Sequence, residues 1–318
     1  MIARLPFLLA ALGVILAPAL WLRPAGAAQV AEHGVGVAEG HTLVLGRISD
    51  DPKRHHDQLE AMLDYIVPRM SDLGVRRGRV LMASDLQQMA SYLRRGRVDW
   101  VTETATTGML LAEKTGARPL VVTERDAAPT YRSVIFVRRD SGIENLQALR
   151  GHTIAFQNRN STSAYYAPAH ALLNAGLDLE ILLSPRDLPA PDVVGFVFAE
   201  SESNIAAWVH KRLVIAGAFS DLDWQNPRRL PPLFQRDLQV IYTSEPYPRG
   251  VEIARAGLPQ AWVVRLQTLL IDAADDPQAE EHLKRFFGTN RFLPITPDLR
   301  QSLQKTAETA ARVRAAIE

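Results

Sequence analysis

Residues 160–163, Asn-Ser-Thr-Ser, set three hydroxyls in a row after an apolar run at 153–156 and before a helical pattern. A strand that ends in hydroxyl residues at a helix start aims free backbone N–H groups and O–H donors at one point, and that arrangement holds oxyanions. Ser161, Thr162 and Ser163 read equally well as a plain helix cap, with Ser161 satisfying the first turn. The glycines and lysine of a phosphate loop are missing around them, so a nucleoside triphosphate is not expected. A second polar constellation, Thr102-Glu103-Thr104, ends the apolar run 98–101. Ligands of open α/β sheets bind outside the carboxyl ends of strands, which puts these three side chains at a pocket edge.

Other chemistry has less support. Glu103, Glu200, Glu202, Asp221 and Asp223 include candidates for a general acid/base pair, yet acidic residues at strand ends more often cap helices or accept hydrogen bonds from a ligand. Ser220 lies in Ala-Phe-Ser-Asp and Ser163 in Thr-Ser-Ala, neither of them a glycine-flanked nucleophile elbow. Adjacent His55 and His56 point about 100° apart on a helix, too divergent to grip one ion together. The remaining histidines are isolated, and the chain has no cysteine, which removes thiol catalysis, thiolate-zinc and iron–sulfur sites. The expectation is a binding protein and not an enzyme, with no cofactor and no metal. Trp100, Tyr131, Tyr165, Tyr166, Phe219 and Trp224 flank the polar loops, where aromatics line pockets or fill the core beneath them.

The elements that must position these residues alternate short apolar strands with amphipathic helices, the pattern of an α/β protein. Residues 42–48 predict a strand, and Ser49-Asp50-Asp51-Pro52 predicts a capped helix start. The helix continues to about residue 73, with Leu59, Met62, Leu63, Ile66 and Met70 recurring at three and four. Strands are expected at 79–82, 98–101, 131–137, 153–156, 192–197, 214–218 and 238–242. Helices are expected at 85–94, 164–175 and around 205–209, and a largely helical tail should follow Pro246–Pro248.

Length and composition fit an ordinary globular protein of one large or two medium domains: 318 residues, 47% hydrophobic, 36 Lys+Arg against 35 Asp+Glu. So even a balance gives no reason to expect nucleic acid. The N-terminus carries a basic start, an apolar run over 6–22 and Ala25-Gly26-Ala27, which reads as a secretory signal over 1–27. A retained anchor is the rival reading, because about 17 apolar residues is the lower limit for spanning a bilayer.

The stretch 131–168 resembles the phosphate/phosphite/phosphonate-type family of ABC-transporter substrate-binding proteins. The resemblance rests on Tyr131, Asp140-Ser141-Gly142-Ile143, Leu149-Arg150-Gly151, Ala155-Phe156, Ser161-Thr162-Ser163 and Pro168, in that order. It extends through Val98-Asp99-Trp100 upstream and Ala216-Gly217-Ala218-Phe219-Ser220 downstream. It implies a two-lobed type II periplasmic binding protein fold, α/β, with a hinge and an interlobe ligand cleft. Lobe 1 is expected over 42–130 plus 241–318 and lobe 2 over 131–240, with hinge crossings near 131–137 and 238–244. The ligand-binding residues it implies, together with the polar strand ends, are Ser161, Thr162, Ser163, Tyr131, Thr102, Glu103, Thr104, Glu202, Tyr165 and Ser220. The chain departs from the phosphonate binders where Glu202 replaces a histidine and Ile215 an aspartate, so a carboxylate stands where the family meets its oxyanion. The implied partners are a small oxyanion and an inner-membrane ABC permease, or alternatively a sensor histidine kinase, with the protein periplasmic and monomeric.

Overall fold

The structure is a computed structural model that describes residues 40–49 and 51–317; the signal segment expected over 1–27 lies outside them. In chain order the first part gives β1 (His41–Ile48), α1 (Pro52–Ile66), β2 (Val75–Ala83), α2 (Leu86–Arg94), β3 (Trp100–Glu103), α3 (Ala105–Thr115) and β4 (Arg118–Arg125). The middle part gives β5 (Thr130–Arg138), β6 (Thr153–Phe156), α4 (Ala167–Asn174), β7 (Leu179–Ile181), β8 (Val194–Phe198), α5 (Glu202–His210), β9 (Ala216–Ser220), α6 (Asp221–Trp224), α7 (Pro232–Asp237) and β10 (Leu238–Pro248). The chain then returns through β11 (Gly250–Ala254), α8 (Gln260–Asp272), α9 (Glu280–Arg285), β12 (Thr289–Pro294) and α10 (Pro297–Ile317).

These strands make two six-stranded mixed sheets, ordered β12-β4-β11-β3-β1-β2 and β10-β5-β9-β6-β8-β7. In each sheet a parallel block, β3-β1-β2 or β9-β6-β8-β7, is extended on one side by antiparallel strands. The apolar runs of β1 and β6 follow from that placement, because a central strand covered on both faces needs no polar side. Leu45, Met62, Trp100 and Phe286 fill one face of the first sheet, and Val44, Met89, Val101 and Ile253 the other. Phe156, Tyr165 and Phe196 fill one face of the second, and Phe136, Val197 and Phe219 the other. Helix α10 joins the two, with Leu303 in a core of the first sheet and Ala310 and Val313 in a core of the second.

Two expectations need correction. The tail after Pro248 is largely helical as expected, through α8, α9 and α10, but it also carries β11 and β12, which complete the first sheet, and β10 before it continues to Pro248, pairing with β5 along its length. Residues 241–248 therefore belong to the second sheet and not with the first lobe. β11 shows no alternation because all five of its residues are buried, and so short an apolar run cannot be told from helix by periodicity. Residues 131–137 and 238–244 are paired sheet strands, whereas the chain passes between sheets at 126–129 and at Arg249. The crossings are tied by the Arg249 amide donating to the Pro129 carbonyl at 3.1 Å, and Asp126 and Ala127 adopt left-handed backbone with φ of 51° and 56°. Among the described residues no helix is long and apolar enough to cross a membrane.

Candidate functional site

The carboxyl ends of parallel strands from both sheets face one cleft of about 870 Å³. The first sheet contributes Arg47, Ile48 and Ser49 from the end of β1, and Glu103 and Thr104 from the end of β3. The second contributes residues 157–161 after β6, and Phe198 and Glu200–Glu202 at and beyond the end of β8. Helix caps set most of these positions. Asp51 caps α1 with Pro52 in its first turn, and Ser201 caps α5 by accepting from the Asn204 amide. Ser161 Oγ accepts from the Ala164 amide at 3.1 Å, starting a single π-helical turn, Thr162–Tyr166, that runs into α4. Such turns inside helices recur at functional sites.

Four of the expected side chains reach the cleft: Ser161, Glu103, Thr104 and Glu202. The Glu103 carboxylate accepts from the Ile48 amide at 2.7 Å and the Thr104 amide at 3.3 Å, and its burial raises its pKa, with Arg47 opposing. Thr104 Oγ1 donates to the Asn160 carbonyl at 2.8 Å, and Thr107 Oγ1 donates to it at 3.0 Å, so the start of α3 meets the loop after β6. Glu202 is the first residue of α5 and sits 3.4 Å from Arg229 Nη1. The helix-start reading of its carboxylate and the pocket reading therefore both describe its position.

The other six do not line this cleft. Thr102 points to the opposite face from its neighbours and donates to buried Glu252 at 2.7 Å, as the period of two along a strand requires. Tyr165 is packed among Phe156, Phe196 and Phe198. Ser220 caps α6 and bonds Asp223. Thr162 Oγ1 accepts from the Thr106 amide at 3.2 Å, joining the starts of two helical segments. The Ser163 carbonyl accepts from Ser133 Oγ at 2.6 Å. Tyr131 is buried against the hydroxyls of Thr162 and Ser163, which oppose the rise that burial imposes on its pKa. Ile215 precedes β9, at the amino end of that strand, and packs against the core; it is remote from the strand ends that form the cleft.

Residues not foreseen from the sequence supply most of the positive charge. Arg47, Arg54, Arg159 and Arg229 line the cleft with His55, whose Nδ1 is 2.7 Å from Ser49 Oγ. Arg159 lies over Phe198 at 5.3 Å from the ring centroid, and Arg47 over Phe287 at 4.4 Å. Arg47 was within reach of sequence reasoning, since the strand-end rule applied to β3 applies equally to β1. Phe287, far along the chain between α9 and β12, carries no local signal. A second cavity of about 510 Å³ between α4, β10 and α10 has mixed charge and no convergence of strand ends.

Because the Ser161 hydroxyl is already engaged in capping, Ser161→Ala should cost about 1 kcal/mol of stability even without ligand. Urea denaturation of the ligand-free protein measures this, and an unchanged midpoint would show that the cap contributes nothing.

A family model described as "ABC transporter, phosphonate, periplasmic substrate-binding protein" matches residues 48–299. XAC2383 from Xanthomonas citri, solved bound to chloride ion, is 48% identical over 87% of this chain and 99% of its own, with a TM-score of 0.84. Its structure bound to ATP gives 47% identity, the same coverage and a TM-score of 0.83. The probable ABC transporter phosphite binding protein PhnD1 of Prochlorococcus marinus (strain MIT 9301) is 19% identical over 205 residues. That match spans 61% of this chain and 66% of the relative, just under two thirds of its length. PhnD1 in complex with methylphosphonate shares the fold, at 18% identity over 86% of this chain and 98% of its own, with a TM-score of 0.62.

Proposed function

Because the chain belongs to the family of periplasmic substrate-binding proteins of phosphonate ABC transporters, we propose that it captures a phosphoryl-bearing organic anion between its two sheets and presents it to an inner-membrane permease. The observation that carries this reading is the cleft itself, where carboxyl ends of strands from both sheets meet around four arginines. Arg54 and Arg159 have no ion-pair partner among the described residues, whereas Asp51 caps α1, Glu103 is held by two amides and Glu202 faces Arg229. Guanidinium groups free of carboxylates favour phosphoryl oxygens, which they bind through paired N–H donors.

The ligand is a phosphate ester of nucleotide size. A cleft of about 870 Å³ lies in the upper part of the range for organic ligands, roughly 300–1,000 Å³, and leaves room for a large substituent on phosphorus. The ATP held by XAC2383, a relative 47% identical over nearly its whole length, is consistent with that size. It also runs against the expectation drawn from the missing phosphate loop: arginines on strand and helix ends offer another way to hold phosphoryl groups. Ser161 and Thr104 would meet the ligand's oxygens, and Glu103 and Glu202 would face its uncharged part. The lobes would be the two sheets with their helices, turning about the crossings at 126–129 and Arg249.

Thermal unfolding of the mature protein with phosphate, methylphosphonate, AMP and ATP tests the reading. The nucleotides should raise Tm most, since a ligand at 100 times its Kd stabilises by about 2.7 kcal/mol. No shift with any phosphoryl compound would overturn it.

A further inference from the structure

Two arginines, Arg47 in the lining of the cleft and Arg125 across the Phe287 ring from it, are held in a way that folding alone does not explain. Arg47 is the penultimate residue of β1 and Arg125 the last of β4, and their guanidinium carbons lie 4.4 Å and 5.0 Å from the centroid of the same Phe287 ring. Arg47 Nε and Arg125 Nε and Nη2 are buried and have no hydrogen-bond partner among the described residues. Among the described residues the single hydrogen bond from either guanidinium is Arg47 Nη1 to the Thr102 carbonyl at 3.3 Å. Neither arginine forms an ion pair within the described residues. The two nearby carboxylates are committed elsewhere: Glu103 accepts from the amides of Ile48 and Thr104, and Glu252 from Trp100, Thr102 and Thr123.

Buried guanidinium donors without acceptors are costly, and like charges sharing a ring add to the cost. Burial and the neighbouring Arg47 push the Arg125 pKa down to about 10. Phe287 itself adopts left-handed backbone, φ 56°, which a bulky residue rarely tolerates. Orphan guanidinium donors and a strained aromatic at one place point to a negative group that completes the set. Tyr131 stands on the other side, near Arg125 and against the hydroxyls of Thr162 and Ser163.

We propose that Arg47 and Arg125, stacked on Phe287, form an oxyanion subsite that takes the terminal phosphoryl group of the ligand. The main electrostatic grip then comes from two guanidinium groups of the first sheet, and Ser161 at the helix start serves as part of the opposing wall. This rests on the reading of the cleft as a phosphoryl-ligand site and assigns the part of it that carries specificity for charge.

The test is calorimetric binding of inorganic phosphate and pyrophosphate to the parent protein, Arg125→Met and Arg47→Met, together with the Tm of each without ligand. Pyrophosphate should bind the parent, and each variant should lose at least tenfold in affinity. The ligand-free Tm of Arg125→Met should equal or exceed that of the parent, because the substitution removes unpaired buried donors; a purely structural arginine would lower it. Equal pyrophosphate affinity in the parent and both variants would overturn the subsite while leaving the cleft reading intact. Absence of binding to the parent by phosphate, pyrophosphate and the nucleotides alike would overturn both. If Arg125→Met does not fold, Arg47→Met decides by the same criterion.

Discussion

Replacing Glu252 by leucine should destabilise the protein by about 1–3 kcal/mol, the cost of leaving a buried donor unsatisfied. Glu252 is fully buried in β11 and accepts from Trp100 Nε1 at 2.7 Å, Thr102 Oγ1 at 2.7 Å and Thr123 Oγ1 at 2.9 Å. The two hydroxyls can rotate toward other acceptors, but the indole N–H is fixed by the ring and would stay unsatisfied. Trp100→Phe in the same background should therefore recover part of the loss. The carboxylate also fixes the pH dependence. Burial raises its pKa above the ordinary value, so its ionised form is less favourable in the folded state than in the unfolded one. Its stabilising contribution is fullest below the unfolded carboxylate range, about pH 4.3, and declines as pH rises through the raised folded value. Glu252→Leu should accordingly cost more at pH 5 than at pH 8. A loss below about 1 kcal/mol at both pH values in urea titrations would show that the three donors find other partners.

Gly108→Val should cost about 2–3 kcal/mol, the range for overpacking a well-filled interior, and should weaken ligand binding as well. A Cβ at Gly108 would come within 2.3 Å of Val251 Cγ1, so α3 would have to lift from β11. The start of α3 carries Thr104 and Thr107, both donating to the Asn160 carbonyl, and Thr106, whose amide donates to Thr162. Lifting the helix would therefore shift one wall of the cleft against the other. Val251→Ala removes the atom that would clash, and adding it to Gly108→Val should restore a measurable fraction of both Tm and affinity. If Gly108→Val unfolds at the parent's Tm, the contact between α3 and β11 is softer than its geometry implies.

The features legible in the sequence are those decided within a few residues. Asp51 with Pro52, Asp85 and Ser161 all cap the helices that follow them, because a cap depends on a side chain and an amide two or three positions on. The α/β pattern, and the placing of Glu103, Thr104 and Ser161 at strand ends that face a cleft, were readable for the same reason.

Tertiary structure decided the rest. Thr102 and Glu103 are neighbours in sequence, but pleating sends one to Glu252 and the other to the backbone of β1 and α3. Strand β11 has neither alternation nor length to announce it, and only its pairing between β3 and β4 makes it a strand. Arg47, Arg125 and Phe287 lie far apart in the chain and meet because β1, β4 and the turn before β12 end at the same edge. Local interactions determine an element, whereas the charge of a site is the sum of strand ends brought together by pairing, and pairing is a long-range choice.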